Sequence, residues 1–210
     1  MEKFYFEIPS LERKNEIIEY LDEFVKYGSD INGSGSLDKI YYGYTFEEAL
    51  ERCLNMKNEE YAKSINRVPG KTFLLIRKND NKIIGTINVR WNLTEKMKQF
   101  GGNIGYGIRP TERRKGYNKM NLYLGLIEAK KIGLDKVMLD CDVENLGSSK
   151  TMEALGGKLE RTEIDPYDGI LTSVYWINVD ESLEKYKGEY VNFIDKNYGH
   201  KFMKWLKGSD

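Results

Sequence analysis

Arg109-Pro110-Thr111-Glu112-Arg113-Arg114-Lys115-Gly116-Tyr117-Asn118-Lys119 is the stretch from which the rest of this 210-residue sequence is read. It holds five basic residues and one acid, +4 over eleven positions. It falls between a strand-like run over residues 103–108, which carries Gly105 and Gly107, and a helical run from about 117 to 132 that Gly133 ends. A turn from strand into helix presents successive backbone N–H groups and the positive end of the helix dipole to one small volume, which suits a phosphate or pyrophosphate. Gly116 lets the backbone approach the anion with no Cβ between them. The same residues also read as an exposed basic turn without a ligand, because short motifs recur by chance.

Upstream of the turn, Phe73-Leu74-Leu75-Ile76 and Ile83-Ile84-Gly85-Thr86-Ile87-Asn88-Val89 read as two strands joined across Asn79-Asp80-Asn81, a hairpin. Downstream, residues 136–141 are nearly continuous apolar and read as a central buried strand. A short helix over 148–155 stops at Gly156-Gly157, and strands over 158–164 and 171–179 flank the turn Pro166-Tyr167-Asp168-Gly169. The first 66 residues read as helical. Ser10 is placed to cap a stripe of Ile17, Ile18, Leu21, Phe24 and Val25 that Gly28 stops. Thr45 and Glu48 have capping-box spacing at the head of a second stripe, Phe46, Ala49, Leu50, Cys53 and Leu54. Between them lies a loop centred on Gly33-Ser34-Gly35-Ser36, and the last thirty residues look helical, with Leu183, Tyr186, Tyr190, Phe193 and Ile194 in period. The fold class is therefore α/β. A mixed, mostly antiparallel central sheet with a parallel splayed pair is flanked by helices, because hairpins give antiparallel neighbours and a strand-helix-strand crossover gives a parallel pair.

Composition excludes several classes. The 33 Lys and Arg balance 33 Asp and Glu, so the basic excess of a nucleic-acid-coating protein is missing. Cys53 and Cys141 cannot build a disulfide framework, and with His200 they cannot supply a Cys/His zinc site; no metal is expected. MEKFYFEIPS has no apolar run of signal-peptide length and no apolar stretch is long enough to span a bilayer, so a cytoplasmic protein with neither membrane nor nucleic acid as partner is expected. With no GxxxxGK[ST], HExxH or GxSxG and a single histidine, any enzyme here runs on backbone groups, carboxylates, tyrosines or a bound cofactor. The first sixty residues hold 14 acids and 7 bases, which favours a cationic partner if they flank the site, although solvated helix faces explain the same charges. Tyr41-Tyr42-Gly43-Tyr44 could wall a pocket or simply pack.

The turn resembles the R/Q-x-x-G-x-G/A coenzyme A signature of the GNAT superfamily of N-acetyltransferases, with Arg113 first and Gly116 as its first glycine. Ile108-Arg109-Pro110 is similar to that family's strand-end Val-x-Pro, and residues 139–148 to its L-x-V-x-x-x-N-x-x-A stretch. Gly101-Gly102-Asn103-Ile104-Gly105-Tyr106, Glu153-Ala154-Leu155-Gly156-Gly157-Lys158-Leu159-Glu160 and Tyr175-Trp176-Ile177 resemble a bacterial subgroup of predicted acetyltransferases. The resemblance runs from about Thr72 to Val179. It implies one domain over 1–210, with a helical acceptor-side region (1–70), an acetyl-CoA-binding core (71–179) and a C-terminal helical extension (180–210). Four positions depart from the pattern: Asn118 stands where Gly or Ala is usual, Met152 where many members place a thiolate-protonating tyrosine, and Asn103 and Trp91 where the subgroup commonly has His.

What the resemblance implies is transfer of acetyl from acetyl-CoA to a primary amine of a small molecule or peptide, by a monomer or homodimer. The cofactor would lie on Tyr106, Gly107, Ile108, Arg113, Arg114, Lys115, Gly116, Tyr117, Asn118, Asn145 and Ser148. Gly105 and Gly107 would leave room for the pantetheine arm and free N–H groups near the thioester, or else mark a bulge or tight packing. Asn145 would bond the pantetheine or a substrate water, or sit plainly in a loop with Ser148 as helix cap. The amine's proton needs an acceptor, for which Asp140, Asp142 and Glu144 are candidates. Tyr175, with Tyr106 and Tyr117, is a candidate for the thiolate's acid in place of Met152. A non-catalytic acyl-CoA-binding module is the alternative, and a nucleotide-binding enzyme using the turn for another phosphate is disfavoured by the missing P-loop and dinucleotide motifs.

Overall fold

A computed structural model describes residues 1–196 and 198, and its first element is a strand that the helical reading of the amino terminus omits. In β1 (Phe4–Glu7) Phe4 and Phe6 turn inward while Tyr5 and Glu7 stay half-buried, the period-two pattern of a strand with one covered face. Four residues are too few for periodicity to separate strand from helix, and it is pairing with β2, some seventy residues away, that decides the matter. β2 (Gly70–Arg77) and β3 (Lys82–Arg90) form the expected hairpin, and β4 (Ile104–Ile108) completes a four-stranded antiparallel sheet in the order β1-β2-β3-β4. β5 (Lys136–Asp142), β6 (Lys158–Ile164) and β7 (Leu171–Asn178) make a second antiparallel sheet in the order β5-β7-β6.

The two sheets meet edge to edge at β4 and β5 without sharing a ladder. Asn103 stitches the strand edges: its N–H donates to the Met138 carbonyl at 2.7 Å, and its Oδ1 accepts from the Met138 N–H at 2.9 Å. Among the described residues the ladders between strands are antiparallel, so the splayed pair expected here is two neighbouring edges tacked near Asn103. β5 is correspondingly the edge of its own sheet, although Val137, Met138 and Leu139 are buried as expected of a central strand.

Helices cover both faces. α1 (Lys14–Lys26) buries Ile17, Tyr20, Leu21 and Phe24 against Leu74, Ile76 and Ile83; Val25, assigned to its stripe, is exposed. Ser10 makes no side-chain cap and precedes a 3-10 turn over Leu11–Arg13. α2 (Phe46–Asn55) has the capping box in full, with the Glu48 N–H donating to Thr45 Oγ1 at 3.2 Å and the Thr45 N–H to Glu48 Oε2 at 2.7 Å. α3 (Glu59–Ser64) and α4 (Glu95–Gln99) are short. α5 (Tyr117–Lys131) is buried almost all round from Met120 to Ala129 and packs against β3, β4, α6 (Leu146–Ala154) and α7 (Val179–Tyr190). Each of its fully buried large apolar side chains, Leu122, Leu124 and Leu126 among them, is worth about 1.5–3 kcal/mol, so the middle helix is a rigid base. The C-terminal helical run stops early: Val191–Phe193 is a 3-10 turn and Ile194 bridges to Phe4. His200, and Phe202, Trp205 and Leu206 of the expected C-terminal extension, lie outside the described residues.

The loop after α1 lies backbone against backbone on β4. Gly33 has φ +74, and a Cβ there would sit 2.6 Å from Tyr106 Cα and 2.7 Å from the Gly105 carbonyl. Gly28 has φ +59 with nothing within 4 Å of its Cβ position. Gly33→Ala is therefore expected to cost roughly 3 kcal/mol, a left-handed penalty plus overpacking, and Gly28→Ala only the penalty, roughly 1 kcal/mol. Urea unfolding midpoints of the two variants check this; equal shifts would contradict the packing.

Candidate active site

Between β4 and α5 the chain makes a 3-10 turn over Pro110–Glu112, passes extended through Arg113, turns left-handed at Arg114 (φ +64) and again at Gly116 (φ +83), and enters the helix. A left-handed residue followed by right-handed ones curls its N–H groups toward one concavity. Among the described residues, the N–H groups of residues 114–118 donate to nothing, and the Lys119 N–H is the next one used, to the Gly116 carbonyl at 3.1 Å. Five consecutive donors thus stand at the positive end of a 15-residue helix with no side-chain cap.

The turn's side chains divide into struts and free cations. Arg109 is 2% exposed; its NH1 donates to Glu19 and Glu23, each at 2.9 Å, and its Nε to the Ile83 carbonyl. Lys115 is paired with Glu112 at 2.9 Å. Arg113 folds back, Nε to the Ile108 carbonyl at 3.1 Å and NH2 to Ser29 Oγ at 2.7 Å, with its guanidinium 5.3 Å from the Phe24 ring centre. Arg114 and Lys119 are exposed and make no ion pair among the described residues. The Tyr117 hydroxyl points away, donating to Glu2 at 3.0 Å and accepting from Arg77 at 3.3 Å. Asn118 ties α5 to α6 through Nδ2 and Thr151 Oγ1 (3.3 Å), while its Oδ1 is buried without a partner. Its side chain therefore sits against α6, and its contribution to the turn is its N–H.

Beside the turn, two strand edges stand open. The Arg90 N–H donates to the Asn103 carbonyl and the Arg109 N–H to the Ile84 carbonyl, which with the register turns Gly105 and Gly107 toward β3. Antiparallel alternation then points the N–H and C=O groups of Tyr106 and Ile108 outward, toward β5. The Gly107 N–H is used in the ladder, so of the three neighbours expected to offer a donor, Tyr106 and Ile108 do. By the same argument, the Val143 and Val179 bonds to Leu171 and Asp135 turn the Asp140 and Asp142 backbones toward β4. Past Asn103 the two edges leave a slot into which an extended, amide-bearing chain can add as a strand. Of the two readings of the glycines, tight packing is the one their Cβ directions fit: a Cβ on Gly107 would lie 2.7 Å from the Asn32 carbonyl, and Gly105 faces Gly33 and Arg90. They admit the loop after α1.

Tyr106 reaches from β4 to α6, its Oη 2.7 Å from Ser148 Oγ, and burial holds the phenol well above its ordinary pKa. Asn145, not Ser148, caps α6, its Oδ1 accepting the Ser148 N–H at 3.1 Å. Cys141 lies beside them, its Sγ 3.9 Å from the Asn145 carbonyl, with burial pushing the thiol up to about 11. The three expected catalytic residues are not brought together. Tyr175 is buried on the α5 face, donating to Glu153 at 3.3 Å and raised by burial first and that carboxylate second. Asp142 and Glu144 are exposed at the end of β5, with no ion pair among the described residues. Asp140 accepts from the Gly101 N–H and is raised by burial. It faces Arg90, which burial lowers to about 10. Sequence reading missed Arg90; its signal is the polar alternation Thr86, Asn88, Arg90 on one side of β3. Met152 is fully buried, and Asn103 and Trp91 are structural, Trp91 donating to Glu59 at 3.1 Å. The amino-terminal acids are partly neutralised internally, Glu19 and Glu23 by Arg109, Glu7 by Arg13 and Glu47 by Lys14. Tyr41, Tyr42 and Tyr44 stand exposed on the surface.

Residues 37–158, more than half of the chain, match the family model described as an acetyltransferase (GNAT) domain. No curated protein matches. Solved structures share the fold at low identity. A ribosomal-protein-S5-alanine acetyltransferase from Vibrio fischeri is 20% identical with TM-score 0.62, over 85% of this chain and 94% of that one. A ribosomal alpha-N-protein acetyltransferase in complex with coenzyme A is 15% identical with TM-score 0.58, over 85% and 96%. A spermidine N-acetyltransferase chimera from Vibrio cholerae is 15% identical with TM-score 0.57, over 86% and 98%. Among the described residues no helix is long and apolar enough to cross a membrane.

Burial lifts both thiols, Cys53 and Cys141, to about 11, so each stays protonated at pH 8. A chromogenic disulfide reagent is expected to label neither in the native protein at pH 8 and both in denaturant, with native labelling rising as the pH approaches 11. Rapid native labelling of Cys141 at pH 8 would show the slot wall to be more open than described.

Proposed function

This chain belongs to the GNAT acetyltransferase family and is an N-acetyltransferase; from that premise we propose that it moves the acetyl group of acetyl-CoA to a primary amine of a small molecule or peptide by direct attack on the thioester. The observation that carries this reading is the adjacency of five unused N–H donors and an open strand edge. The donors of Arg114, Lys115, Gly116, Tyr117 and Asn118 would take the diphosphate, with the exposed Arg114 and Lys119 side chains adding mobile positive charge. Pantetheine amides would add between β4 and β5, passing the Tyr106–Ser148 hydroxyl pair and the free Nδ2 of Asn145. The outward N–H of Tyr106 or Ile108 would hold the thioester carbonyl and the charge that develops on its oxygen. Fixed in a strand, that donor needs no reorganisation as the charge grows.

The amine would enter at the C-terminal end of β5. Asp142 and Glu144, exposed there with no cationic partner among the described residues, would attract an ammonium group and accept its proton directly or through water. Similar structures are named as acetyltransferases of spermidine and of a ribosomal-protein alanine, a small amine and a peptide amine. The departing sulfur needs a proton that buried Met152 cannot give. Tyr175 on β7, its hydroxyl set by Glu153, and the Tyr106–Ser148 pair are the candidate hydroxyls, whereas Tyr117 is turned away. Much of the rate would come from alignment of amine and thioester.

Thiol release from acetyl-CoA across a panel of small and peptide amines tests the proposal: amine-dependent release is expected, and saturable binding with no such release would favour a non-catalytic acyl-CoA-binding module. Gly116→Val forces a β-branched residue to φ +83 and should weaken acetyl-CoA binding at least roughly tenfold, read by calorimetry. Asp142→Asn with Glu144→Gln should lower kcat/KM for the amine roughly a hundredfold and leave acetyl-CoA affinity unchanged. Unchanged amine kinetics would remove both carboxylates from the proton path.

A further inference from the structure

Residues 109–112, the entry to the turn, are held between two carboxylates. From α1, Glu23 Oε1 accepts both the N–H and the hydroxyl of Thr111 at 2.8 Å, while Oε2 accepts from Arg109 NH1 at 2.9 Å. Its side chain is 14% exposed. From within the turn, Glu112 accepts from Arg77 NH1 and NH2 at 3.0 and 3.2 Å and from Lys115 at 2.9 Å. Neither carboxylate contacts the N–H groups of residues 114–118. The conformation between and beyond them has costs: Arg114 is a non-glycine residue at φ +64, and parallel donors at a helix start repel one another. Something must hold the turn in this shape before any anion arrives.

We infer that Glu23 is a positioning residue for the donor: it fixes the entry of the turn so that the five N–H groups are already convergent, and so sets affinity for the diphosphate without touching it. The inference rests on the acetyl-CoA reading above. Three charge-assisted hydrogen bonds converge on this one carboxylate. Burial alone would raise its pKa, yet the Thr111 and Arg109 bonds hold it below the ordinary range. The alternative partner of Arg109, Glu19, is 69% exposed and cannot replace it as a fixed anchor. Arg113 extends the same seat, since its NH2 donates to Ser29 just past the end of α1. Glu23→Gln removes the charge that strengthens the Thr111 bonds and sets an NH2 donor against Arg109 NH1, so the entry loosens and the donor must order the turn as it binds, a cost that falls on affinity and not on the chemical step.

The test compares two acetyl donors, acetyl-CoA and S-acetylpantetheine, which lacks the diphosphate. In Glu23→Gln, KM and calorimetric Kd for acetyl-CoA should rise roughly tenfold or more, with kcat at saturation and KM for the amine unchanged. Kinetics with S-acetylpantetheine should not change. Thr111→Val, which keeps the N–H and deletes one donor, should weaken acetyl-CoA a few-fold and add little on top of Glu23→Gln. A general structural defect would weaken both donors alike, which overturns the inference, as does a folded Glu23→Gln protein with unchanged acetyl-CoA affinity. Should Glu23→Gln fail to fold, the Thr111→Val arm decides alone on the same donor comparison. If the wild-type protein takes up neither donor, the acetyl-CoA reading itself falls, and this inference with it.

Discussion

Backbone donors without partners are the constraint around which this structure is arranged. A folded chain pairs nearly all the N–H groups it buries, and where it leaves a run of them open the neighbouring structure must support that choice. Here two such runs adjoin. One exists because no side chain caps α5 where the turn after β4 enters it; the other because past Asn103, which joins the two edges, β4 and β5 form no ladder. A helix buried on nearly every side supports both. The open donors are thus attached to that buried helix, where they hold their directions in the absence of a ligand.

The charge distribution follows from the same arrangement. A chain with no net charge concentrates +4 in eleven residues, but Arg109 is spent on fixing the turn to α1 through Glu19 and Glu23, and the turn's one acid, Glu112, ties it to Arg77 of β2 and Lys82 of β3. Arg113, the leading residue of the signature, spends its guanidinium on a strand carbonyl and a serine hydroxyl. Recognition of an anion then falls to main-chain groups, whose positions do not depend on side-chain rotamers. Acids of the amino-terminal third likewise serve as structural counter-charges, while Asp142 and Glu144 at the open end of the slot have no ion pair among the described residues.

Sequence reading recovered what local rules control. The hairpin of β2 and β3, the capping box of Thr45 and Glu48, the strand-turn-helix around Gly116 and the order of the later elements all depend on neighbours within a few residues. What it missed depends on distant partners. β1 is a strand only because β2 accepts it, and α6 starts at Asn145 because that side chain, three residues before Ser148, accepts its N–H. Gly105 and Gly107 look like space for a ligand from sequence, but the space is filled by the loop that carries Gly33, a contact across some seventy residues. Within the site the turn was legible and its side-chain roles were not, since whether Arg113, Tyr117 or Asn118 faces outward is settled by Ser29, Glu2 and Thr151.

The most direct test of this account is a proton–nitrogen correlation spectrum of the labelled protein recorded while acetyl-CoA is added. The account predicts that the amide resonances of residues 114–118, together with those of Tyr106 and Ile108, move furthest and saturate along one binding curve. Saturable shifts confined to other surfaces, with these amides unmoved in a demonstrably folded sample, would contradict it.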